Sequence, residues 1–243
     1  MIRFFINESA NVGDEIYLTA DDSHHLSRVL RAKVGDEIQI IAAETVFLAE
    51  VTALGERAAA KLIEECDKVF ESQTKVWLLQ GVAKGERMEL VIQKAVELGV
   101  HAIVPVDCAR SVVKLKANKA EDRRARWQKI AESAAEQSGR GVIPTVRVLP
   151  SFSAAIAEAA EAELPVLFYE NEDGFSFSDA VREANEFSTA SLLTGPEGGL
   201  TEEEVEAARK AGLSVCTLGK RILRCETAPL CALSALMFAA GEF

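Results

Sequence analysis

The chain has 243 residues, of which 49% are hydrophobic and 27% are charged, and its formal net charge is −11 at pH 7. This hydrophobic content excludes an intrinsically disordered chain, and the length suits one large domain or a small domain joined to a larger one. The uncharged stretch 228–241 is too short to span a bilayer, and residues 1–11 lack the apolar core of a signal peptide. Five scattered cysteines without a Cys-x-x-Cys pair indicate neither a disulfide framework nor a structural zinc site. We therefore expect a soluble cytoplasmic protein.

The charge is distributed unevenly along the chain. Residues 1–74 carry a net charge of −7, residues 75–147 one of +6, and residues 148–243 one of −10. A basic middle on an otherwise acidic chain can mark a face that binds a polyanion such as nucleic acid. A solvated helix rich in lysine and arginine would give the same count, so charge alone leaves both interpretations open.

The first part of the chain predicts a small β-rich module. A helix at 23–31 carries Leu26, Val29 and Leu30 on its apolar face. Four β-prone runs, separated by turn signals, lie around it: 3–6, 37–41, 46–51 and 58–63. We expect these strands to form a small barrel that ends at a linker near residues 67–74.

From Lys75 onward, short apolar runs alternate with helical periods. We expect strands at 76–79, 102–106, 145–149, 166–169, 191–193 and 215–218. We expect helices at 87–98, 123–138, 152–162, 177–185, 202–211 and 228–240, with Thr201 and Glu204 forming a capping box. Continuous apolar strands between helices predict a mostly parallel sheet covered on both faces. Ligands of such sheets bind beyond the carboxyl ends of the strands.

A glycine-rich loop follows the predicted strand 191–193 and precedes the helix that Thr201 caps. Its sequence over 194–199 is Thr-Gly-Pro-Glu-Gly-Gly, and the missing side chains let backbone groups approach a ligand closely. A tight strand-to-helix connection without a ligand would explain the same glycines. The chain has no Gly-x-Gly-x-x-Gly fingerprint after a strand and no phosphate-binding P-loop, which argues against nicotinamide chemistry and nucleotide hydrolysis.

A second loop, residues 218–228, follows the last predicted strand and leads into the last helix. It carries three cations, Lys220, Arg221 and Arg224, within five residues. An arginine here could neutralise a phosphate or an oxyanion, and Thr227 could cap the helix or contact a substrate. The alternative is a set of interface salt bridges that includes Glu226.

Further basic residues lie in the middle of the chain. Arg87 and Lys94 are seven residues apart on a predicted helix, away from the apolar stripe formed by Met88, Val91, Ile92 and Ala95. Lysines and arginines placed this way can neutralise several phosphates and release counterions.

Metal ions and covalent nucleophiles find little support in the sequence. His24 and His25 are neighbours on a predicted helix and diverge by about 100 degrees, so they cannot easily ligate one ion. The Gly-x-Ser-x-Gly elbow of serine hydrolases does not occur. We therefore expect no metal site.

Five short motifs extend over nearly the whole chain. They are His24-His25-Leu26-x-x-Val29-Leu30-Arg31, Gln-Lys-Ala-Val-Glu-Leu-Gly-Val at 93–100, Glu-Gln-Ser-Gly-Arg at 136–140, Gly-Pro-Glu-Gly-Gly at 195–199, and Leu218-Gly219-x-Arg221-Ile222-Leu223-Arg224-x-Glu226-Thr227-Ala228. Each is weak alone, but in this order and spacing they resemble the RsmE family of small-subunit ribosomal RNA methyltransferases. Cys225, where threonine is common, and Pro229 are small departures from that pattern.

The resemblance implies an α/β fold with two domains. Residues 1–72 would form a PUA-like β-barrel that binds RNA, and residues 73–243 a SPOUT-type methyltransferase domain with a C-terminal trefoil knot. It further implies a homodimer that binds 16S rRNA of the small ribosomal subunit, while the composition and residue spacing already argue for no membrane and no metal partner. The expected reaction is methylation of N3 of one uridine, with S-adenosylmethionine as the cofactor.

The same resemblance assigns binding residues. The cofactor pocket is expected to be lined by Leu193, Gly195, Pro196, Gly198, Gly199, Leu218, Ile222 and Leu223. RNA is expected to be held by Arg3, Arg28, Arg31, Lys84, Arg87, Lys94, Arg110 and Arg140. A sulfonium cofactor without phosphate needs backbone donors and an apolar adenine slot rather than a P-loop, and the two loops offer both.

Three residues are candidates for catalysis. Arg224 could stabilise negative charge on a uracil oxygen, and Glu226 or Glu197 could accept the N3 proton, directly or through water. Both glutamates could instead fix the loops by hydrogen bonds. Two other functions also remain open at this point: a non-catalytic rRNA-binding or ribosome-assembly factor, and a related methyltransferase acting on another RNA position.

Overall fold

The structure is a computed structural model that describes residues 3–6, 8–43, 45–66, 71–115 and 117–243, with only the backbone described at 117 and 118. Residues 67–70 of the predicted linker lie outside this part of the chain. The chain divides into two compact units, Met1–Glu71 with Ala135–Ile143, and Ser72–Ala134 with Pro144–Phe243. Within the described residues, we find no helix whose length and apolar character would allow it to cross a membrane.

The first unit contains a five-stranded curled sheet. Its strands are β1 (Arg3–Ile6), β2 (Glu15–Tyr17), β3 (Glu37–Ala42), β4 (Thr45–Ala53) and β5 (Ala59–Glu65). They are hydrogen-bonded in the order β1-β3-β4-β5-β2. Alternate side chains of the strands point into one apolar core, which includes Phe4, Ile38, Phe47 and Leu62. The four predicted strands are present, whereas β2 is an edge strand of three residues that carries too little apolar pattern to be predicted.

The prediction of one α-helix at 23–31 is wrong in the bounds and in the type of helix. The chain forms a short α-helix, α1 (Ala20–His24), capped by the Thr19 hydroxyl, and continues as a π-helical turn over His25–Val29. A π-turn adds one residue to the helical turn and so rotates the residues that follow it. Leu26 is therefore fully buried, whereas Val29 is 61% exposed and Leu30 38% exposed.

The end of a long helix is fixed within the first unit by an ion pair. The α3 helix (Ala117–Ser138) is followed by Arg140, whose guanidinium lies 2.5 Å from the carboxylate of Glu71. The same carboxylate accepts hydrogen bonds from the backbone N–H groups of Gly141 and Val142. The Glu71 carboxylate thus accepts hydrogen bonds from three successive residues, which fixes the turn after α3.

The second unit is built on a six-stranded parallel sheet, as the sequence predicts. Its strands are β6 (Lys75–Gly81), β7 (Ala102–Val106), β8 (Thr145–Val146), β9 (Leu164–Phe168), β10 (Thr189–Thr194) and β11 (Ser214–Cys216). The helices, apart from α3, are α2 (Glu86–Glu97), α4 (Phe152–Ala159), α5 (Phe177–Ala184), α6 (Glu202–Lys210) and α7 (Ala228–Ala239). The capping box of α6 is confirmed, because Thr201 and Glu204 exchange both hydrogen bonds. The strand predicted at 145–149 stops at Val146, shortly before Pro150.

The strand order places three loops side by side. The sheet runs β11-β9-β10-β6-β7-β8, so β9 lies between β10 and β11. All pairs in this sheet are parallel, so the loops after β9, β10 and β11 emerge at one edge. The two loops singled out in the sequence therefore flank the loop that follows β9. The trefoil knot stays a prediction.

Candidate functional site

A cavity of about 1030 Å³ opens at the carboxyl ends of β9, β10 and β11. The loop after β10 forms one wall and the loop after β11 the other, while Tyr169, Glu170, Glu172 and Asp173 of the loop after β9 also line it. Small-molecule sites typically occupy about 300–1,000 Å³. The cavity is therefore large enough for a nucleoside cofactor.

Six of the eight residues predicted to bind the cofactor line this cavity. They are Gly195, Pro196, Gly199, Leu218, Ile222 and Leu223. The other two do not line it: Leu193 is fully buried in the core of the second unit, and Gly198 is exposed in the loop. The structure thus brings the two predicted loops to one site.

The floor of the first loop is held by β6. Gln80 is fully buried; its amide donates to the carbonyls of Gly81 and Gly195, and it accepts a hydrogen bond of 2.7 Å from the Thr194 hydroxyl. Gly81 packs directly under the loop, because a Cβ at this position would lie 2.5 Å from the backbone nitrogen of Pro196. A buried polar network of this kind specifies one loop conformation.

Arg87, predicted to bind RNA, lies in the cavity and connects its two walls. Its guanidinium is 3.0 Å from the carboxylate of Glu197 in the first loop and 3.8 Å from that of Glu226 in the second. The hydrogen bond to Glu197 and the charge of Glu226 raise the pKa of Arg87 above its usual range. Arg87 thus links the two predicted carboxylates electrostatically.

The two glutamates differ in how firmly they are held. Partial burial opposes ionisation of Glu197, but the Lys84 backbone N–H and the Arg87 guanidinium outweigh it, so the pKa of this carboxyl is lowered. Glu226 accepts a hydrogen bond from the Cys225 thiol, which, with its own backbone N–H and nearby arginines, lowers its pKa. Burial and the neighbouring carboxylates raise the pKa of the Cys225 thiol to about 12, so this thiol stays protonated at neutral pH.

The cations of the second loop point away from the core. Lys220, Arg221 and Arg224 are exposed and line the cavity. The backbone carbonyl of Arg224 accepts hydrogen bonds from the N–H groups of Thr227 and Ala228, which starts α7. Among the described residues, the Arg224 side chain makes no hydrogen bond and has only a longer-range attraction to Glu226. Its guanidinium is therefore available to a substrate.

The other RNA-predicted residues of the second unit have diverse surroundings. Lys84 is exposed, Lys94 forms an ion pair of 2.7 Å with Glu97, and the Arg110 guanidinium donates to the carbonyls of Gly198 and Leu200. Arg110 is thus engaged with the glycine loop.

In the first unit, the four predicted RNA contacts fall into two groups. Arg28 and Arg31 are exposed, and neither forms an ion pair among the described residues. Arg3, in contrast, hydrogen-bonds Gln39 and the carbonyl of Gly139, and Arg140 is only 10% exposed against Glu71. Arg28 and Arg31 are therefore the better placed to meet a polyanion.

Sequence reasoning missed the loop after β9. It contributes Glu170, Glu172 and Asp173 to the cavity, of which Glu172 is paired with Arg209. The signal was available, since this loop follows a predicted strand of a parallel sheet. The loop carries no further signal in the sequence, because it contains neither a glycine-rich run nor a cluster of cations.

The lining suits S-adenosylmethionine. Ile222 is 85% exposed at the cavity, and Leu218 and Leu223 are half-buried beside it, which leaves apolar surface free for an adenine ring. At Gly199, where φ is +67°, any Cβ would collide with the carboxylate of Glu170. The absence of a Cβ at 199 thus leaves room for the Glu170 carboxylate beside the cavity.

Known proteins and family models match both the N-terminal and the C-terminal part of this chain. Residues 70–237 match the model of the RNA methyltransferase domain, and residues 18–64 that of the RNA methyltransferase PUA domain. The ribosomal RNA small subunit methyltransferase E of Bacillus subtilis is 38% identical over 98% of this chain and 96% of its own. The protein of that name from Neisseria gonorrhoeae, solved bound to S-adenosyl methionine, is 36% identical with a TM-score of 0.87 over 98% of this chain and 97% of its own.

A methyltransferase of Legionella pneumophila, solved with the same cofactor, is 30% identical and has a TM-score of 0.89, covering 98% of this chain and 97% of its own. These matches extend over both parts of the chain and include two structures with cofactor. The chain belongs to the ribosomal RNA small subunit methyltransferase E family.

Proposed function

We propose that this protein transfers a methyl group from S-adenosylmethionine to N3 of one uridine in the 16S rRNA of the small ribosomal subunit. The observation that carries the proposal is the shared cavity between the loops after β10 and β11, in a chain of this family. In the proposed division of labour, residues 1–72 bind RNA and residues 73–243 bind the cofactor and catalyse the transfer.

The reaction needs alignment more than covalent chemistry. When bound, the cofactor supplies an electrophilic methyl group on a positively charged sulfur. The two loops would hold it with backbone groups and the apolar side chains of Leu218, Ile222 and Leu223. The uridine must be unpaired or extruded, because N3 is hidden in a base pair. Holding N3 in line with the methyl group would account for much of the rate enhancement.

Arg224 and Glu226 are the residues proposed to handle charge and proton. The exposed Arg224 guanidinium would stabilise the negative charge that develops on a uracil oxygen as N3 loses its proton. Glu226 would accept that proton, directly or through water: the Cys225 thiol donates to one of its oxygens, and the other lies 3.8 Å from Arg87 Nε, beyond hydrogen-bond distance. Glu197 is held by the Lys84 N–H and by Arg87, which supports a role in fixing the loop.

The exposed pair Arg28 and Arg31 gives a prediction for RNA binding. Replacing both by alanine should weaken binding to 16S rRNA and reduce the slope of log K against log salt concentration by roughly 1 to 2, because two phosphate contacts are lost. A filter-binding series between low and moderate salt measures this slope. The matched control replaces the exposed Arg57 and Lys61 by alanine, which removes the same charge elsewhere in the first unit. An unchanged slope in the first variant would remove these arginines from the RNA surface.

The proposal includes a homodimer. Helix α7 is apolar around its whole circumference, and its side away from the core leaves Cys231, Ala235 and Phe238 exposed, the last by 75%. A helix that is apolar on all sides is usually buried on all sides, which supports a second copy as its cover. The proposal also includes the cytoplasmic location expected from the sequence, because ribosomal RNA is the proposed substrate.

The decisive experiment maps the methyl group. Ribosomal RNA from a strain lacking this gene should lose one N3-methyluridine by mass spectrometry, and the purified protein with S-adenosylmethionine should restore it on small subunits from that strain. If the methyl group appears instead on a ribose or a guanine, the protein methylates another RNA position and not N3 of a uridine. Absence of cofactor binding by calorimetry would point to the non-catalytic alternative.

A further inference from the structure

Glu170 occupies the position between the two walls of the cavity. In β9, Leu167 is paired with Leu193 of β10, and Phe168 with Cys216 of β11. Two residues beyond Phe168, the chain reaches Glu170 in the loop after β9, and this loop emerges between those that carry Pro196 and Leu218. All three line the cavity.

The Glu170 carboxylate is free to bind a ligand. The residue is exposed, and no described residue forms a hydrogen bond or an ion pair with its side chain. One carboxylate oxygen lies directly against Gly199, where any side chain would displace it. The next acid along the loop differs, because Glu172 is neutralised by Arg209 and also accepts a hydrogen bond from the Gly174 N–H.

The proposed cofactor offers three partners for a carboxylate: the sulfonium, the ammonium group of the methionyl part, and the two ribose hydroxyls. The reaction centre is placed at Arg224 and Glu226, and the adenine beside Leu218, Ile222 and Leu223. The ribose joins the adenine to the sulfonium, so a carboxylate of the loop between the two walls that lies against Gly199 is suited to the ribose. A carboxylate has two acceptor oxygens, which match two adjacent hydroxyl donors. An acid after a strand next to a glycine loop has the same task in dinucleotide-binding folds.

We infer that Glu170 is a cofactor-binding residue that accepts hydrogen bonds from the ribose hydroxyls of the cofactor. This inference rests on the proposed function, since it names a contact within the same site. It also gives a reason for glycine at 199 beyond backbone conformation: the absence of a Cβ leaves room for the carboxylate beside the ligand.

The test compares three ligands by calorimetry on the full-length protein. S-adenosylmethionine has the sulfonium, the ammonium group and the ribose; S-adenosylhomocysteine lacks the sulfonium charge; 5′-methylthioadenosine lacks both charges but keeps the ribose. Glu170→Ala should weaken all three by the same factor, roughly ten- to a hundredfold, since hydrogen bonds to a charged acceptor are lost. Glu170→Gln, which keeps one acceptor, should give a smaller and again uniform loss.

Each other outcome overturns the inference. A loss confined to S-adenosylmethionine would place Glu170 at the sulfonium, and a loss that spares only 5′-methylthioadenosine would place it at the ammonium group. An unchanged affinity for all three would remove it from the site. The matched control is Glu183→Gln, which removes an exposed carboxylate from α5, outside the cavity lining, and should leave the three affinities unchanged. If the wild-type protein binds none of the three, the proposed function fails rather than the role of Glu170.

Discussion

Replacing Arg224 by alanine should lower kcat for methyl transfer by roughly 10²- to 10³-fold and leave the affinity for S-adenosylmethionine within about twofold. This is the usual loss when a single donor to a developing oxyanion is removed. The side chain makes no hydrogen bond within the described part of the chain, so its removal leaves no partner unsatisfied. Its backbone carbonyl, which starts α7, is retained in the variant. Transfer of a labelled methyl group to small subunits gives kcat, and calorimetry gives the cofactor affinity.

The control for Arg224 lies in the same loop. Lys220→Ala removes an exposed cation that also lines the cavity, and it should change kcat by much less, because no role at the uracil oxygen is assigned to it. Equal losses in both variants would indicate that the loop contributes only a general positive potential. Unchanged turnover in Arg224→Ala would remove this residue from the mechanism.

Much of the fold could be predicted because local pattern and tertiary environment agree. In α2, Met88, Val91, Ile92 and Ala95 repeat at helical spacing and are all fully buried. The prediction failed where a local irregularity alters the period: the π-turn at His25–Val29 turns Val29 and Leu30 outward although their spacing is that of an α-helix. Nothing in the side-chain pattern marks the extra residue of such a turn.

The sequence predicts those parts of the site in which the chemical groups and the preceding strand lie in one short segment. The two loops combine a preceding strand with glycines or cations, and both lie at the cavity. Gln80 and Glu170 were not predicted, because their importance depends on the strand order: β6 is distant from β10 in sequence but pairs with it, and β9 lies between β10 and β11. Arg87 is predicted to bind RNA from the resemblance and its charge, and this stays a prediction. The structure adds that Arg87 lies between two carboxylates, a pairing across 110 residues that no local pattern reveals.

Replacing Gly81 by alanine should weaken binding of S-adenosylmethionine by at least roughly tenfold and lower the melting temperature. The added Cβ would lie 2.5 Å from the Pro196 nitrogen and 2.7 Å from the Gly195 carbonyl carbon, both backbone atoms that a rotamer change cannot move. Overpacking of this kind costs about 1–3 kcal/mol, which corresponds to roughly 2–12 °C in a chain of this size. The loop must shift, and the hydrogen bond of 3.2 Å from the Gln80 amide to the Gly195 carbonyl would be stretched.

The comparison with Gly174→Ala separates the close contact from the general effect of an added methyl group. At Gly174 the nearest atom to a new Cβ is the end of the Glu172 side chain at 3.5 Å, an ordinary contact, so this variant should keep both its affinity and its melting temperature. The affinity of Gly81→Ala is measured by calorimetry well below its own melting temperature, where the protein is folded. Wild-type affinity under those conditions would show that β6 does not set the shape of the glycine loop. A loss would show that a strand with no direct access to the ligand determines how the ligand is held.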